Sequence, residues 1–285
     1  MEQKCSWGRD LALRWTRMVG PSRPTISELA VYTKYLRILQ SHLDRKVKIL
    51  VLGSTPEFRD WAFEENLDVT VMDYSQEYHE TISRELRHKS IVENKQGKEQ
   101  FICDDWINLN SIDEYDIIIG DLVIGNVPPQ SLESFIEKVS KALKKEGLFL
   151  GKSFFVPRNY TKITPKELIK KYYNGPPYHP YSFLSFDLTM YSIDDDNMLS
   201  FEKQYNELKK LNEQGFLFND TMAYFEDIGW DKEMKFKFHV PKVEEYEKLI
   251  NKYLNIFDIE YGNDVYSHNF PLYIITKKDT IIFRR

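Results

Sequence analysis

The sequence predicts an α/β fold: a doubly wound, mostly parallel sheet with helices on both faces. Three observations carry this. Short apolar runs alternate with amphipathic helical stretches from residue 47 to about 154, the rhythm of βαβ units. The run YDIIIG at 115–120 is apolar enough for a strand covered on both sides. Two last runs, 256–261 and 271–276, lie close together around the turn GNDVYSHN, which suits a final antiparallel hairpin.

Taken in order, residues 1–24 read as an irregular arm with a PSRP turn at 21–24. Thr25 and Glu28 form a capping box, and Leu29, Tyr32, Leu36, Leu39 and Leu43 recur at helical spacing, giving a helix over 26–43. A strand at 47–52 leads to a helix opened by Pro56, over 56–66, and to a second strand at 69–73. A helix follows over 76–90, with Tyr78, Ile82 and Leu86 on one face, then a turn, NKQGK, and a third strand at 99–103. After the fourth strand, Leu132, Phe135, Ile136, Val139 and Leu143 mark a helix over 130–145, with Gly147 as its stop, and the fifth strand is 148–154.

From 156 to 240 the alternation breaks, and this stretch reads as a helical and loop-rich insertion within one domain spanning 1–285. It holds a short helix begun at Thr164-Pro165 with Glu167 completing a capping box. It also holds the aromatic, proline-rich loop YYNGPPYHPYSF at 172–183. A helix capped by DDDN at 194–197 runs to Gly215 with Met198, Phe201, Tyr205 and Leu208 as its apolar face. Pro241 opens a last helix over 242–254.

Composition narrows the function. The chain has 285 residues and a formal net charge of −5, with acids and lysines interleaved and no basic stripe, which argues against a nucleic-acid partner. No apolar run approaches the roughly 20 residues that span a bilayer. The segment MEQKCSWGRDLALRW lacks the apolar core of a signal peptide. The two cysteines, Cys5 and Cys103, stand far apart. No disulfide framework is expected, and a reducing cytoplasm is. No histidines or cysteines show metal-ligand spacing, so no metal is expected.

The most informative stretch is KVKILVLGSTPEFRDWAFEENLDVTVMDY, residues 46–74. It reads strand, tight turn, helix, strand, acid, an arrangement that places a nucleoside-shaped ligand over the carboxyl end of the first strand. Gly53 lets the backbone approach the ligand, and Asp73, twenty residues on, is placed for a ribose diol. The turn, Gly53-Ser54-Thr55-Pro56-Glu57, has one glycine where a dinucleotide fingerprint has three, and Glu57 would repel a diphosphate. S-adenosylmethionine (SAM) has no phosphate and carries a sulfonium cation, so the turn suits SAM better than NAD.

At these residues the chain resembles the class I SAM-dependent methyltransferases, in particular bacterial small-molecule types with an LG-x-TPE-x-R first motif. The resemblance covers roughly residues 10–155 well and the last 45 residues loosely. It implies a Rossmann-like seven-stranded sheet of order 3-2-1-4-5-7-6, SAM as cofactor, and methyl transfer to a small-molecule acceptor. It also assigns roles. In CDDWINL, Asp104 or Asp105 would read the adenine amine and Trp106 would wall the ring. Asp121, in GDLVIGNVP, would meet the SAM amino group or the substrate, although Leu122 and Val123 replace the small residues usual there. The pattern W-T-R-M-V-G-P-S-R-P would fold over the cofactor as a lid, with Trp15 and Arg23 lining the pocket. Gly53, Ser54, Thr55, Glu57 and Asp73 complete the expected cofactor set. Arg59 is expected to be a structural partner of Glu57 or Asp73. The insertion is expected to cover the acceptor, with Tyr172, Tyr173, Tyr178 and His179 as substrate-binding candidates. No catalytic residue is assigned. The alternatives are an NAD(P)-dependent oxidoreductase, and a SAM- or nucleoside-binding sensor without catalysis.

Overall fold

The apolar runs form strands β1 (Lys48–Leu52), β2 (Asp68–Asp73), β3 (Glu99–Cys103), β4 (Tyr115–Asp121) and β5 (Leu143–Lys152). A two-stranded sheet of β6 (Met198–Ser200) and β7 (Lys237–His239) stands apart, and β8 (Asn255–Glu260) and β9 (Leu272–Thr276) end the fold. The helices are α1 (Arg9–Arg14), α2 (Ile26–Gln40), α3 (Pro56–Glu64), α4 (Gln76–Ile82), α5 (Val123–Asn126), α6 (Pro129–Ala142), α7 (Phe201–Glu213), α8 (Asn219–Asp227) and α9 (Val243–Tyr253). The structure, a computed structural model, describes residues 8–18, 20–90, 99–162, 164, 167, 187, 189–215, 219–229, 237–264 and 267–282.

The main sheet has seven strands in the order β3-β2-β1-β4-β5-β9-β8. Since β8 and β9 are its sixth and seventh strands in the chain, this is the expected 3-2-1-4-5-7-6 order. Pairing from β3 across to β5 is parallel, and β9 runs antiparallel to both β5 and β8. The chain reverses its direction across the sheet between β1 and β4, and the carboxyl ends of those two strands frame the crevice where open α/β sheets take ligands.

Period-two alternation sends each strand's residues to opposite faces. Ile49, Val51, Val71, Ile117, Ile119, Leu148, Leu150, Leu272 and Ile274 face α2 and α3, against Tyr32, Leu36, Leu39, Phe58 and Trp61. Leu50, Leu52, Ile118, Phe149 and Ile275 face α6 and α9, against Phe135, Ile136, Val139, Tyr246 and Ile250. A third cluster joins Phe154 and Val156 to Met190, Ile193, Leu199, Phe201, Phe238, Val240 and Phe270. Among the described residues, no helix is long and apolar enough to cross a membrane.

Several boundaries differ from the sequence reading. The arm is not wholly irregular: α1 and a 3₁₀ turn, Trp15–Arg17, pack Leu11, Ala12 and Trp15 on Tyr78 and Ile82 of α4. The helix expected over 76–90 ends at Ile82 and tightens into a 3₁₀ turn, Ser83–Glu85, after which the amides of Arg87 and His88 go to Asp60 of α3, each at 3.0 Å. The helix expected to reach 145 ends at Ala142. The amides of Asp113 and Glu114 take the carbonyls of Lys141 and Ala142 at 2.8 and 2.9 Å, and β5 starts at once, so Gly147 lies within a strand and is no helix stop. The DDDN segment does not cap a helix directly. Asp194 Oδ1 accepts the amides of Asp196 and Met198 at 3.1 and 2.8 Å, Met198–Ser200 pairs with Lys237–His239, and the helix starts at Phe201 under a Ser200 cap. The capping-box exchange between Thr164 and Glu167 is present, with bonds of 2.8 and 3.3 Å.

Gly125 in α5 lies against the Phe238 ring of β7, and a Cβ at this glycine would fall 1.9 Å from Phe238 Cζ. Gly125→Ala is therefore expected to destabilise the fold by about 1–3 kcal/mol, the usual cost of overpacking. Urea unfolding checks this, and adding Phe238→Leu should restore most of the loss.

Candidate functional site

The site is built where the strands run out. Gly53 follows β1 with φ +86°, a conformation other residues rarely adopt. A Cβ there would sit 3.3 Å from Trp106 Cζ2, so a side chain would press on the indole. The Met72 carbonyl accepts both the Gly53 amide at 2.9 Å and the Trp106 indole N–H at 2.8 Å. One backbone oxygen thus joins the β1 turn to the loop after β3. The Asp104 amide donates to the Asp73 carbonyl at 3.1 Å, and Lys138 of α6 bonds the Ile107 carbonyl.

Asp73 ends β2 almost fully buried, with one oxygen taking the Ser54 amide at 3.0 Å and the other the Ser75 amide at 3.1 Å. Burial raises its pKa, and these backbone donors oppose the rise. The carboxylate is thus oriented before any ligand arrives. Asp105 caps the 3₁₀ turn Trp106–Asn108, and Asp104 Oδ1 accepts the Asp105 amide at 2.7 Å and the Asn108 side chain at 2.8 Å. Both acids are tied into this loop.

Glu57 lies in the first turn of α3 and does not face the crevice alone. The Trp15 indole donates to its two oxygens at 3.1 and 3.2 Å, and the Arg23 guanidinium forms an ion pair with it. Ser54 and Thr55 are buried, and the Ser54 hydroxyl bonds His79 Nδ1 at 3.0 Å. Arg59 does not pair with Glu57 or Asp73, contrary to expectation. It is fully buried and forks onto Glu99 of β3 at 2.8 and 2.7 Å, with Ser83 Oγ at 2.8 Å, because it projects from the face of α3 turned toward β3.

Asp121 ends β4 and pairs in register with Lys152, the last residue of β5, beside Gly120 and Gly151. Both side chains lie on the α2 face, where the apolar stripe Leu39, Leu36, Tyr32 ends at Glu28. The Lys152 ammonium donates to Glu28 Oε2 at 3.2 Å and stands 3.3 Å from Asp121 Oδ1. Two carboxylates share one cation. Burial and the nearby Glu28 charge push the Asp121 pKa up to about 7, with Lys152 opposing. The Lys152 pKa is raised although burial lowers it, because Asp121 and Glu28 favour the ammonium. Glu28 Oε1, Asp121 Oδ1 and the Tyr32 hydroxyl are buried without an aligned hydrogen bond.

Lys152, Glu28 and His79 were not singled out in the sequence as site residues. A lysine inside the apolar run LFLGKSFF was the available signal for Lys152, and the capping box accounted for Glu28. His79 carried none. Tyr172, Tyr173, Tyr178 and His179 lie outside the described residues. Among the described residues, no group of three or more His, Cys, Asp or Glu side chains is arranged to hold a metal ion.

No protein family matches the chain, and no curated protein matches it in sequence. Solved structures do resemble it. A protein from Rhodobacter sphaeroides, described as a Zn-dependent alcohol dehydrogenase, superposes with a TM-score of 0.55 at 14% identity, over 94% of this chain and 98% of that one. The PH0226 protein of Pyrococcus horikoshii OT3 gives 0.50 at 15% identity, over 87% and 91%. A 1,6-didemethyltoxoflavin N1-methyltransferase of Burkholderia thailandensis gives 0.49 at 10% identity, over 86% and 76%. At such identities the likeness shows the fold alone. Together with the strand order, it is a Rossmann-like, doubly wound α/β fold.

His79 stacks on Phe101, with ring centroids 3.8 Å apart, and burial then Arg59 push its pKa down to about 3. In the unfolded chain it binds a proton below pH about 6.5, so its neutral burial costs stability as pH falls from there toward 3. Asp121 acts oppositely, holding its proton up to about pH 7 in the folded state and gaining stability as pH falls. A difference measurement separates them: between pH 7.5 and 5, His79→Gln should lose less unfolding free energy than the unsubstituted protein, by on the order of 1–2 kcal/mol.

Proposed function

We propose that this protein is a SAM-dependent methyltransferase acting on a small-molecule acceptor by in-line transfer. The observation that carries the reading is the Asp73 carboxylate, oriented by the Ser54 and Ser75 amides beside the Gly53 turn. That is a ribose site at the carboxyl end of β1, with Trp106 closing over the glycine. The residues fit a nucleoside without phosphate. A diphosphate on the α3 amides would meet Glu57 beside Arg23, whereas a cationic cofactor would meet the strand-end carboxylates Asp73 and Asp121 as well. The same carboxylates disfavour the rival reading as an NAD(P)-dependent oxidoreductase.

SAM, when bound, supplies a methyl group activated by sulfonium. The chain's own work is to bind and orient. Asp73 receives the ribose hydroxyls, Gly53, Ser54 and Thr55 supply the backbone of the turn, and Asp104 or Asp105 with Trp106 takes the adenine. Asp121 faces the amino group or the acceptor. The arm 1–24, through Trp15 and Arg23, and the insertion 156–240 cover the edge and exclude water. Tyr172, Tyr173, Tyr178 and His179 are the proposed acceptor contacts, which suits a small organic molecule better than a polyanion.

Calorimetry with SAM, S-adenosylhomocysteine, NAD and ATP tests this. The first two should bind and the last two should not, and Asp73→Ala should weaken S-adenosylhomocysteine by about 1–3 kcal/mol, the cost of charged hydrogen bonds. In a radiolabelled methyl-transfer assay on cell extract, label should enter a small molecule. Label only in RNA, DNA or protein would reject the acceptor class, and SAM binding without any transfer would favour the sensor reading.

A further inference from the structure

Lys152 is 1% exposed and its ammonium reaches four oxygens. Two belong to carboxylates, Glu28 and Asp121; the other two are backbone carbonyls of the arm, Pro21 at 2.8 Å and Arg23 at 3.2 Å. An isolated pair of acids would be neutralised by any cation or proton, and a buried ion cluster is often no more stable than an apolar one of the same shape. Compensation of Glu28 and Asp121 calls for a cation here. It does not call for one that also holds two backbone carbonyls of the arm.

The arm is held a second time at α3. The Arg23 guanidinium pairs with Glu57 and donates to the Trp15 carbonyl at 3.4 Å, while the Trp15 indole donates to the same Glu57. The backbone at 21–23 is thus anchored over the end of β5, and the Arg23 side chain reaches Glu57 at the start of α3, which follows β1. The crossing lies over the crevice where the strand order reverses. The groups facing Lys152 are Glu28 from α2, Asp121 from β4 and the carbonyls of the arm.

We propose that Lys152 is a positioning residue that seats the arm on the carboxyl edge and so builds the cofactor-site wall formed by Trp15 and Arg23. For its ligand this rests on the methyltransferase reading; for the arm it does not.

The test keeps the cluster's charge constant. Glu28→Gln with Lys152→Met removes one negative and one positive charge, leaves Asp121 in place, and retains an acceptor at 28 for the α2 cap. Trypsin cleavage after Arg14 and Arg17, followed by mass spectrometry, reads arm seating without any ligand. Cleavage should accelerate at least tenfold at unchanged far-UV circular dichroism, and the Kd for S-adenosylhomocysteine should rise about tenfold. A merely charge-balancing lysine would leave both unchanged, which would overturn the proposal. Faster cleavage with unchanged affinity would overturn the arm as a cofactor wall. If the double variant does not fold, Glu28→Gln with Lys152→Gln gives the same comparison in a closer shape. Failure of the unsubstituted protein to bind S-adenosylhomocysteine would reject the methyltransferase reading, and the cleavage rates would still decide the role of Lys152.

Discussion

The constraint on which the molecule depends is that a parallel sheet must be covered on both faces, so polarity is confined to the ends of its strands. The switch takes a single residue. Met72 gives way to Asp73, Gly120 to Asp121 and Gly151 to Lys152, each polar residue standing at the carboxyl end of a buried strand. None of the three is well solvated, so each needs a partner inside the protein. Asp73 takes backbone amides, and Asp121 and Lys152 take each other and Glu28. The edge is thus a set of charges fixed by their own burial, the preorganised surroundings that recognition of a charged ligand requires.

Those charges are coupled more closely than their separation along the chain suggests. Lys152 is shared by residues 28, 121, 21 and 23, and Glu57 by residues 15 and 23. Arg23 reaches one anchor through its carbonyl and the other through its guanidinium, so the two groups act through one short segment. The buried network of Ser54, His79, Glu99 and Arg59 supports the Gly53 turn from beneath, with the imidazole held neutral against Phe101.

The segments outside the main sheet meet at the same end of the molecule. Arg17 of the arm pairs with Asp227 of α8 at 2.6 Å, and Arg14 lies against Gly229. The exposed Arg17–Asp227 pair contributes little stability, so it does not hold the arm down; α1 packing on α4 and the buried bonds of Lys152 do. The Phe238 ring on Gly125 brings β7 against the short helix that follows β4. The described part of the stretch between β5 and α9 thus touches the arm, through Asp227 and Gly229, and the short helix after β4, through Phe238.

Much of this was legible in the sequence. Apolar period and turn chemistry identify every strand of the main sheet, all but β5 within a residue or so of its bounds, because a buried parallel strand can tolerate little else; β5 starts well before its expected bounds, inside the expected helix. Gly53 and Asp73 are legible because one turn and one strand end impose them locally. Helix ends were less so. Asp60 takes the amides that follow the helical stretch ending at Glu85, and Asp113 and Glu114 take the last carbonyls of the helix ending at Ala142, bonds made through space that no local pattern records. The arm looked irregular because α1 is a single short helix, held by its contact with α4. Only the tertiary structure brought Lys152 to Glu28 and to the arm, residues more than a hundred positions away. Period tells which face a residue is on; its partner is set by strand register and by the helix that covers that face.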